Sequence, residues 1–242
     1  MIILNHPKTG RPFACLEGSL ISAARTAASA VLAAEYMHER DKNLANLGIV
    51  GNGPIAAEIY RYFINTGWNI KELTLFDLKI SASQSFKAEI DPTRHKTIHI
   101  ANSVDELIQS CDAVVFATTV PSPYVHDLHL IQHGPLILNV SLRDIGTEIM
   151  LKAHNVVDDI SHILSANTSP HLTQQAYGHT DFINGTLGGL IQKKFELSPN
   201  KTRIFSPMGL GILDLAVAKY VFDKALVNND QITINNFLGD KT

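Results

Sequence analysis

From Asn46 to Asp159, short apolar runs alternate with stretches of helical periodicity. The runs 47–50, 72–76, 97–100, 113–117 and 136–140 predict strands, and Val156-Val157 begins a sixth. Residues 54–66, 81–89, 104–110 and 147–151 read as the intervening helices. The run 113–117, Ala-Val-Val-Phe-Ala, is apolar throughout, as expected of an interior parallel strand. Strands and helices in alternation predict an α/β class, a doubly wound parallel sheet.

Both ends read differently. Residues 1–5 and 12–16 are extended apolar runs around His6-Pro7-Lys8-Thr9-Gly10-Arg11, which predicts a hairpin. A hairpin alone is barely stable, so later segments, a partner chain or preceding sequence must cover it. Residues 22–40 are rich in Ala, Leu, Glu and Met and predict a long helix. After Asn167-Thr168-Ser169-Pro170, helices are expected over 171–177 and from Phe182 into Lys193. Gly185, Gly188 and Gly189 leave a turn plus a shorter helix open for the second. A strand is expected over 202–205, a helix over 212–227, and an extra strand over 232–238.

Composition narrows the function classes. A formal net charge of −3 over 242 residues, without a basic patch, speaks against nucleic acid. No signal peptide or apolar run of spanning length is present, so a cytoplasmic enzyme without a membrane partner is expected. Cys15 and Cys111 fit neither a disulfide framework nor zinc spacing. His126, His129 and His133 share helical spacing, but Gly134-Pro135 follows at once; a solvated surface helix is the better reading than a metal site.

The candidate chemistry centres on Gly51-Asn52-Gly53-Pro54-Ile55-Ala56, directly after the first interior strand. This is the dinucleotide pattern G-x-G-x-x-A. Gly51 allows the sharp turn, Gly53 leaves room for a pyrophosphate, and Ala56 lets the helix pack closely. The helix N-terminus, opened by Pro54, presents free N–H groups to phosphate. The next strand ends in Asp77, placed for the adenosine ribose hydroxyls. No arginine follows directly, which favours NAD over NADP. A doubly wound domain without cofactor is the alternative.

Thr118 and Thr119 follow the fourth strand, and Asn139, Ser141 and Asp144 follow the fifth, at the edge where such sheets bind ligands. Asp144 suits stabilisation of an iminium or positioning of water; capping the helix near Thr147 is the other reading. Arg25, early in the long helix, opposes the helix dipole. An acidic substrate group accounts for it, as does an ion pair with Glu17. Met208 and Gly209 lie in a loop that could close over the nicotinamide.

Several runs together resemble the ornithine cyclodeaminase/mu-crystallin family over essentially the whole chain. They are Arg11 to Ser19, Ser22 to Ala30, Gly51 to Ala56, Ala117-Thr118-Thr119 and Asn139 to Asp144. Ser141-Leu142-Arg143-Asp144, Val156 to Asp159, Asn167 to His171 and Phe205 to Lys219 are similar to the branch that makes 2,3-diaminopropionate for siderophores and peptide antibiotics. The resemblance implies NAD-dependent oxidation and hydrolysis of N-(2-amino-2-carboxyethyl)-L-glutamate to 2,3-diaminopropionate and 2-oxoglutarate. It implies that Arg25 binds a substrate carboxylate, that Asp144 is catalytic and that Asp77 binds ribose. Ornithine cyclodeaminase, cyclic imine reductase and a catalytically silent NAD-binding relative stay open.

Family members also carry a preceding stretch with a substrate-binding arginine and lysine, expected here as a separate gene product, a misassigned start or a true loss. The partners implied are a small carboxylate-bearing amino-acid substrate and either a second copy or a complementing N-terminal fragment. The resulting division is a partial substrate and dimerisation domain over 1–42, a nucleotide domain over 43–166, and a helical segment over 167–242 that returns to the first.

Overall fold

The computed structural model describes residues 1–235 and 237. The chain divides into two compact units, Met1–Arg25 with Leu210–Thr242, and Thr26–Gly209. It opens with the expected hairpin, β1 (Ile2–Asn5) antiparallel to β2 (Pro12–Leu16), with Ile2 opposite Leu16 and Leu4 opposite Ala14. α1 (Ser19–Met37) begins three residues before the periodicity would place it. Glu17 sets that start: its carboxylate accepts from the N–H groups of Ser19 at 2.6 Å and Leu20 at 3.0 Å. Such orphan donors otherwise need water. The helix stops at Met37, and Glu39 and Arg40 then turn left-handed at φ +53° and +64°.

The second unit follows in strict alternation. It contains β3 (Asn43–Val50), α2 (Pro54–Asn65), β4 (Asn69–Phe76), α3 (Ile80–Glu89), β5 (Thr97–Ile100), α4 (Val104–Ser110), β6 (Ala113–Phe116) and β7 (Leu136–Asn139). It continues through α5 (Thr147–Lys152), β8 (His154–Val157), α6 (Ile160–Ile163), α7 (Ser169–Tyr177), β9 (Ile183–Thr186), α8 (Leu187–Ile191) and β10 (Arg203–Ser206). The eight strands β3–β10 form one sheet in the order β5-β4-β3-β6-β7-β10-β8-β9. Every pair is parallel.

The order reverses between β3 and β6, which makes the carboxyl ends of these two strands the topological switch point. Alternate residues feed two cores, one on each face. Leu47, Ile49, Val115 and Leu138 pack with α1 and α2 residues such as Ala30, Ile59 and Phe63. Val50, Val114, Phe116 and Ile137 pack with Leu107 of α4 and Ile149 of α5. Phe116 is fully buried, so its truncation to Ala removes about 3–5 kcal/mol.

Three expectations change. Residues 183–186 are a strand rather than the start of a helix, and only 187–191 form the shorter helix. Pairing decides it: Asn184 Oδ1 accepts from Asn155 N at 2.8 Å, and the Phe195 ring fills the space beside Gly185. Residues 128–131 are a 3-10 turn, not a surface helix, with Leu130 and Ile131 buried. His126 pairs with Glu148 at 3.1 Å, while His133 Nε2 donates to the Cys111 carbonyl at 3.0 Å. Residues 231–234 form no strand, and the rest of that expected element reaches residues 236 and 238, outside the described ones.

Residues 167–209, read from sequence as part of a returning segment, contribute β9 and β10 to the sheet. The last helix, α9 (Gly211–Asn228), covers the hairpin. Leu4, Ile21 and Ala218 form that small core with Val217 and Phe222, and Phe13 meets Phe222 edge-on at 5.2 Å. Among the described residues no helix is long and apolar enough to cross a membrane.

Candidate active site

The glycine turn is built as its sequence requires. Gly51 has φ +83°, and a Cβ there would lie 2.6 Å from the Ala117 carbonyl oxygen. Only glycine satisfies both the left-handed backbone and that approach. Gly53 differs: its φ is −92°, and a Cβ added to it would meet no protein atom within 4 Å. The glycine therefore opens onto space, not onto packing. It is the N-cap of α2 and has no side-chain cap. Pro54 brings no N–H, and among the described residues no protein group accepts from the N–H of Ile55 or Ala56. Free donors at a helix N-terminus favour an anion.

Asp77, at the end of β4, ties the turn to the neighbouring strand. Its Oδ2 accepts from Asn52 N at 2.8 Å and its Oδ1 from Lys79 N at 2.9 Å. Each carboxylate oxygen keeps a second lone pair for a ligand hydroxyl. Asn52 itself is buried, donating to the Ile49 carbonyl and accepting from Ser83 Oγ at 2.6 Å. Sequence reasoning passed over it as the variable position between two glycines.

A cavity of about 590 Å³ joins these groups. Val50, Gly51, Gly53 and Asp77 line it together with Thr118, Thr119, Pro121 and Tyr124. Phe76, Leu78, Val104 and Val120 give it apolar sides. The size and the few convergent polar groups suit a cofactor or small-molecule site.

Bonded to two of these lining residues, Thr118 and Tyr124, is Asp144, fully buried. It does not cap α5; that N-cap is Gly146. Its Oδ1 accepts from Thr118 Oγ1 at 2.5 Å and from Tyr124 Oη at 3.1 Å, and its Oδ2 accepts from Ser141 Oγ. Three hydroxyl donors thus satisfy a carboxylate whose desolvation would otherwise be costly. Burial, then the Asp144 charge, push the Tyr124 phenol well above the ordinary tyrosine pKa.

The backbone aims this cluster. Leu142 sits at φ +78°, and Arg143 N closes a three-residue turn onto the Ser141 carbonyl at 3.1 Å. A bulky residue in this region carries strain of about 1–3 kcal/mol, a cost found mostly at functional sites. Tyr124 N and Val125 N both donate to the Asp144 carbonyl, at 3.1 and 3.0 Å. Val125 bridges Ile145 in parallel. Sequence reasoning missed Tyr124. Its only local signal was a loop position after β6, because its partner lies 20 residues further along.

The remaining candidates have partners of their own. Gly209, at φ +94°, donates its N–H to Asp158 Oδ2 at 2.7 Å, beside the end of β8. Neither Met208 nor Gly209 lines the cavity. Arg25 belongs to the terminal unit. Its Nε donates to Asp214 Oδ1 at 3.1 Å and its Nη2 to Ser22 Oγ at 3.3 Å. The expected partner Glu17 is instead engaged at the start of α1. No group of three or more metal-ligating side chains occurs among the described residues.

Comparison with known proteins adds the following. The sequence model of the ornithine cyclodeaminase/mu-crystallin family matches residues 1–229. The N-((2S)-2-amino-2-carboxyethyl)-L-glutamate dehydrogenase of Staphylococcus aureus is 28% identical over 240 residues, 97% of this chain and 70% of that protein. The structure of Thermococcus litoralis Δ1-pyrroline-2-carboxylate reductase in complex with NADH and L-proline superposes with a TM-score of 0.85 at 26% identity, covering 96% of this chain and 73% of that one. An archaeal alanine dehydrogenase dimer with bound NAD gives 0.84 at 26% identity, covering 97% and 73%.

Proposed function

The chain belongs to the ornithine cyclodeaminase/mu-crystallin family, and from that premise we propose that it oxidises and hydrolyses N-(2-amino-2-carboxyethyl)-L-glutamate to 2,3-diaminopropionate and 2-oxoglutarate. In coarser terms, it is an NAD-dependent oxidoreductase acting on an amino-acid-type substrate. The observation that carries the reading is that one cavity is lined both by Gly51, Gly53 and Asp77 and by Thr118 and Tyr124, whose hydroxyls donate to buried Asp144. The choice of substrate within the family is supported by the likeness to the Staphylococcus aureus dehydrogenase.

The residues present fit NAD. Gly53 and the N–H groups of Ile55 and Ala56 would hold its pyrophosphate. Asp77 would accept from the ribose diol, and its carboxylate would repel a 2′-phosphate. NAD would supply the hydride acceptor. Asp144, bonded to the cavity-lining Thr118 and Tyr124, is the carboxylate that answers changes of charge and protonation at a substrate nitrogen. Thr118 and Ser141 hold that carboxylate in place.

The test is NADH formation with the glutamate conjugate, accompanied by release of equal amounts of 2-oxoglutarate and 2,3-diaminopropionate. A second reading, reduction of a cyclic imine, is favoured by the likeness to the Thermococcus litoralis reductase. A substrate panel with Δ1-pyrroline-2-carboxylate and NADH separates the two. NADH binding without turnover on either substrate would leave only nucleotide binding.

A further inference from the structure

We propose that Tyr124 is the residue through which buried Asp144 acts on the substrate nitrogen: its phenol oxygen accepts the N–H of the bound amine while its own proton is held by Asp144 Oδ1. The inference rests on the reading above and deepens it. Asp144 is 0% exposed. Its oxygens are covered by the hydroxyls of Thr118, Tyr124 and Ser141. Thr118 and Tyr124 also line the cavity, so a ligand there feels the carboxylate through them.

These two hydroxyls are not equivalent. Thr118 adjoins the glycine turn, where a Cβ on Gly51 would lie 3.1 Å from Thr118 N. Its backbone therefore abuts the glycine turn. Tyr124 follows six positions later in the cavity lining, held in register with Asp144 by the two backbone bonds to the Asp144 carbonyl. With its only proton committed to Asp144, the Tyr124 oxygen presents lone pairs alone. It selects a ligand that donates, and the carboxylate behind it favours a cationic donor.

The same contact gives the amine proton a path. A proton leaving the substrate nitrogen bonds to Tyr124 Oη as the Tyr124 proton bonds to Asp144 Oδ1. The nitrogen keeps its electron pair, and Asp144 becomes the neutral acid. No free tyrosinate forms, in keeping with a phenol whose ionisation is disfavoured. The neutral amine is the form able to give up a hydride from the adjacent carbon, so Tyr124 readies the nitrogen before oxidation.

The experiment has a binding arm and a kinetic arm. The binding arm titrates the NADH-saturated chain, by cofactor fluorescence, with L-proline and with tetrahydrofuran-2-carboxylate, in which ring oxygen replaces N–H. Wild type is expected to favour proline by at least about tenfold, because the oxygen analogue sets acceptor against acceptor. Y124F is expected to bring that ratio to within about twofold while NADH affinity holds. Equal affinities in wild type, retained discrimination in Y124F, or lost NADH affinity in Y124F would each overturn the proposal.

The kinetic arm measures amine oxidation against pH for Y124F, D144N and the double variant. Y124F is expected to lose about 10²-fold in kcat. The double variant should be no slower than D144N, since both act in one relay. Additive losses overturn the relay. Discrimination without turnover sinks the dehydrogenase reading and leaves the nitrogen contact standing; turnover without discrimination does the reverse.

Discussion

Replacing each glycine of the turn by alanine separates folding from cofactor binding. In Gly51→Ala the new methyl meets the Ala117 carbonyl at 2.6 Å and the carbonyl carbon at 2.8 Å, both backbone atoms at the end of an interior strand. They cannot swing away as a side chain would. The φ of +83° adds about 1–2 kcal/mol for an L-residue in left-handed geometry. Together these place the loss at about 2–4 kcal/mol. For a chain of this size that is a fall in Tm of about 4–16 °C.

In Gly53→Ala the methyl meets nothing within 4 Å, and φ −92°, ψ −173° is open to alanine. Two small effects oppose each other. Alanine is a poorer N-cap than glycine, by up to about 1 kcal/mol. It also removes about 0.4–1 kcal/mol of freedom from the unfolded chain. Stability should therefore stay within about 1 kcal/mol of wild type. The methyl fills the cradle, so NADH affinity should fall at least about tenfold, or about 1.4 kcal/mol. Chemical unfolding and NADH fluorescence titration read the two quantities separately. A Gly53→Ala chain that is as unstable as Gly51→Ala, or that binds NADH like wild type, would refute the assignment of Gly53 to the phosphate cradle.

Asp77→Ala should weaken NAD binding about tenfold and narrow the preference over NADP, because it removes both the diol acceptor and the charge that repels a 2′-phosphate; paired titrations with the two cofactors check it. The Ser19 hydroxyl, then the Leu20 and Ser19 N–H groups, hold the Glu17 carboxyl down at about 2 against an ordinary 4.5. A depressed folded-state pKa contributes stability that is complete above the unfolded value and lost as pH falls through the folded one. The start of α1 should therefore loosen as pH falls from about 4.5 to about 2, and Glu17→Gln should flatten that dependence; amide exchange at Ser19 and Leu20 reports it. Burial pushes the Cys111 thiol up to about 11, whereas Cys15 is exposed. A disulfide reagent at mildly alkaline pH should titrate one thiol in the folded chain, at Cys15, and two after unfolding; Cys111 reacting as fast as Cys15 would contradict its burial.

The sequence by itself determined the features carried by local period and local backbone. Alternating apolar runs and helical stretches defined β3 to β8, because strand and helix periods are written within a few residues. The turn at Gly51 and the place of Asp77 after β4 were legible as local structure, because a left-handed turn depends on backbone freedom at a single position and a strand end on the last residue of an apolar run. Only the tertiary structure decided where β10 lies. It inserts between β7 and β8, far from its place in the chain, and no periodicity encodes a neighbour. The same holds for Ile183–Thr186, where the glycine-containing run Ile-Asn-Gly-Thr becomes a strand because β8 offers it an edge and Phe195 covers Gly185. Arg25 met Asp214, 189 positions away, instead of the nearby Glu17, which the first N–H groups of α1 had claimed. Asp144 has Ser141 close by in the chain, but it met Tyr124, 20 positions away, beside the Val125–Ile145 bridge. Hydrogen-bond partners are chosen by distance in space, and in a parallel sheet that distance is set by crossovers long after the local elements have formed.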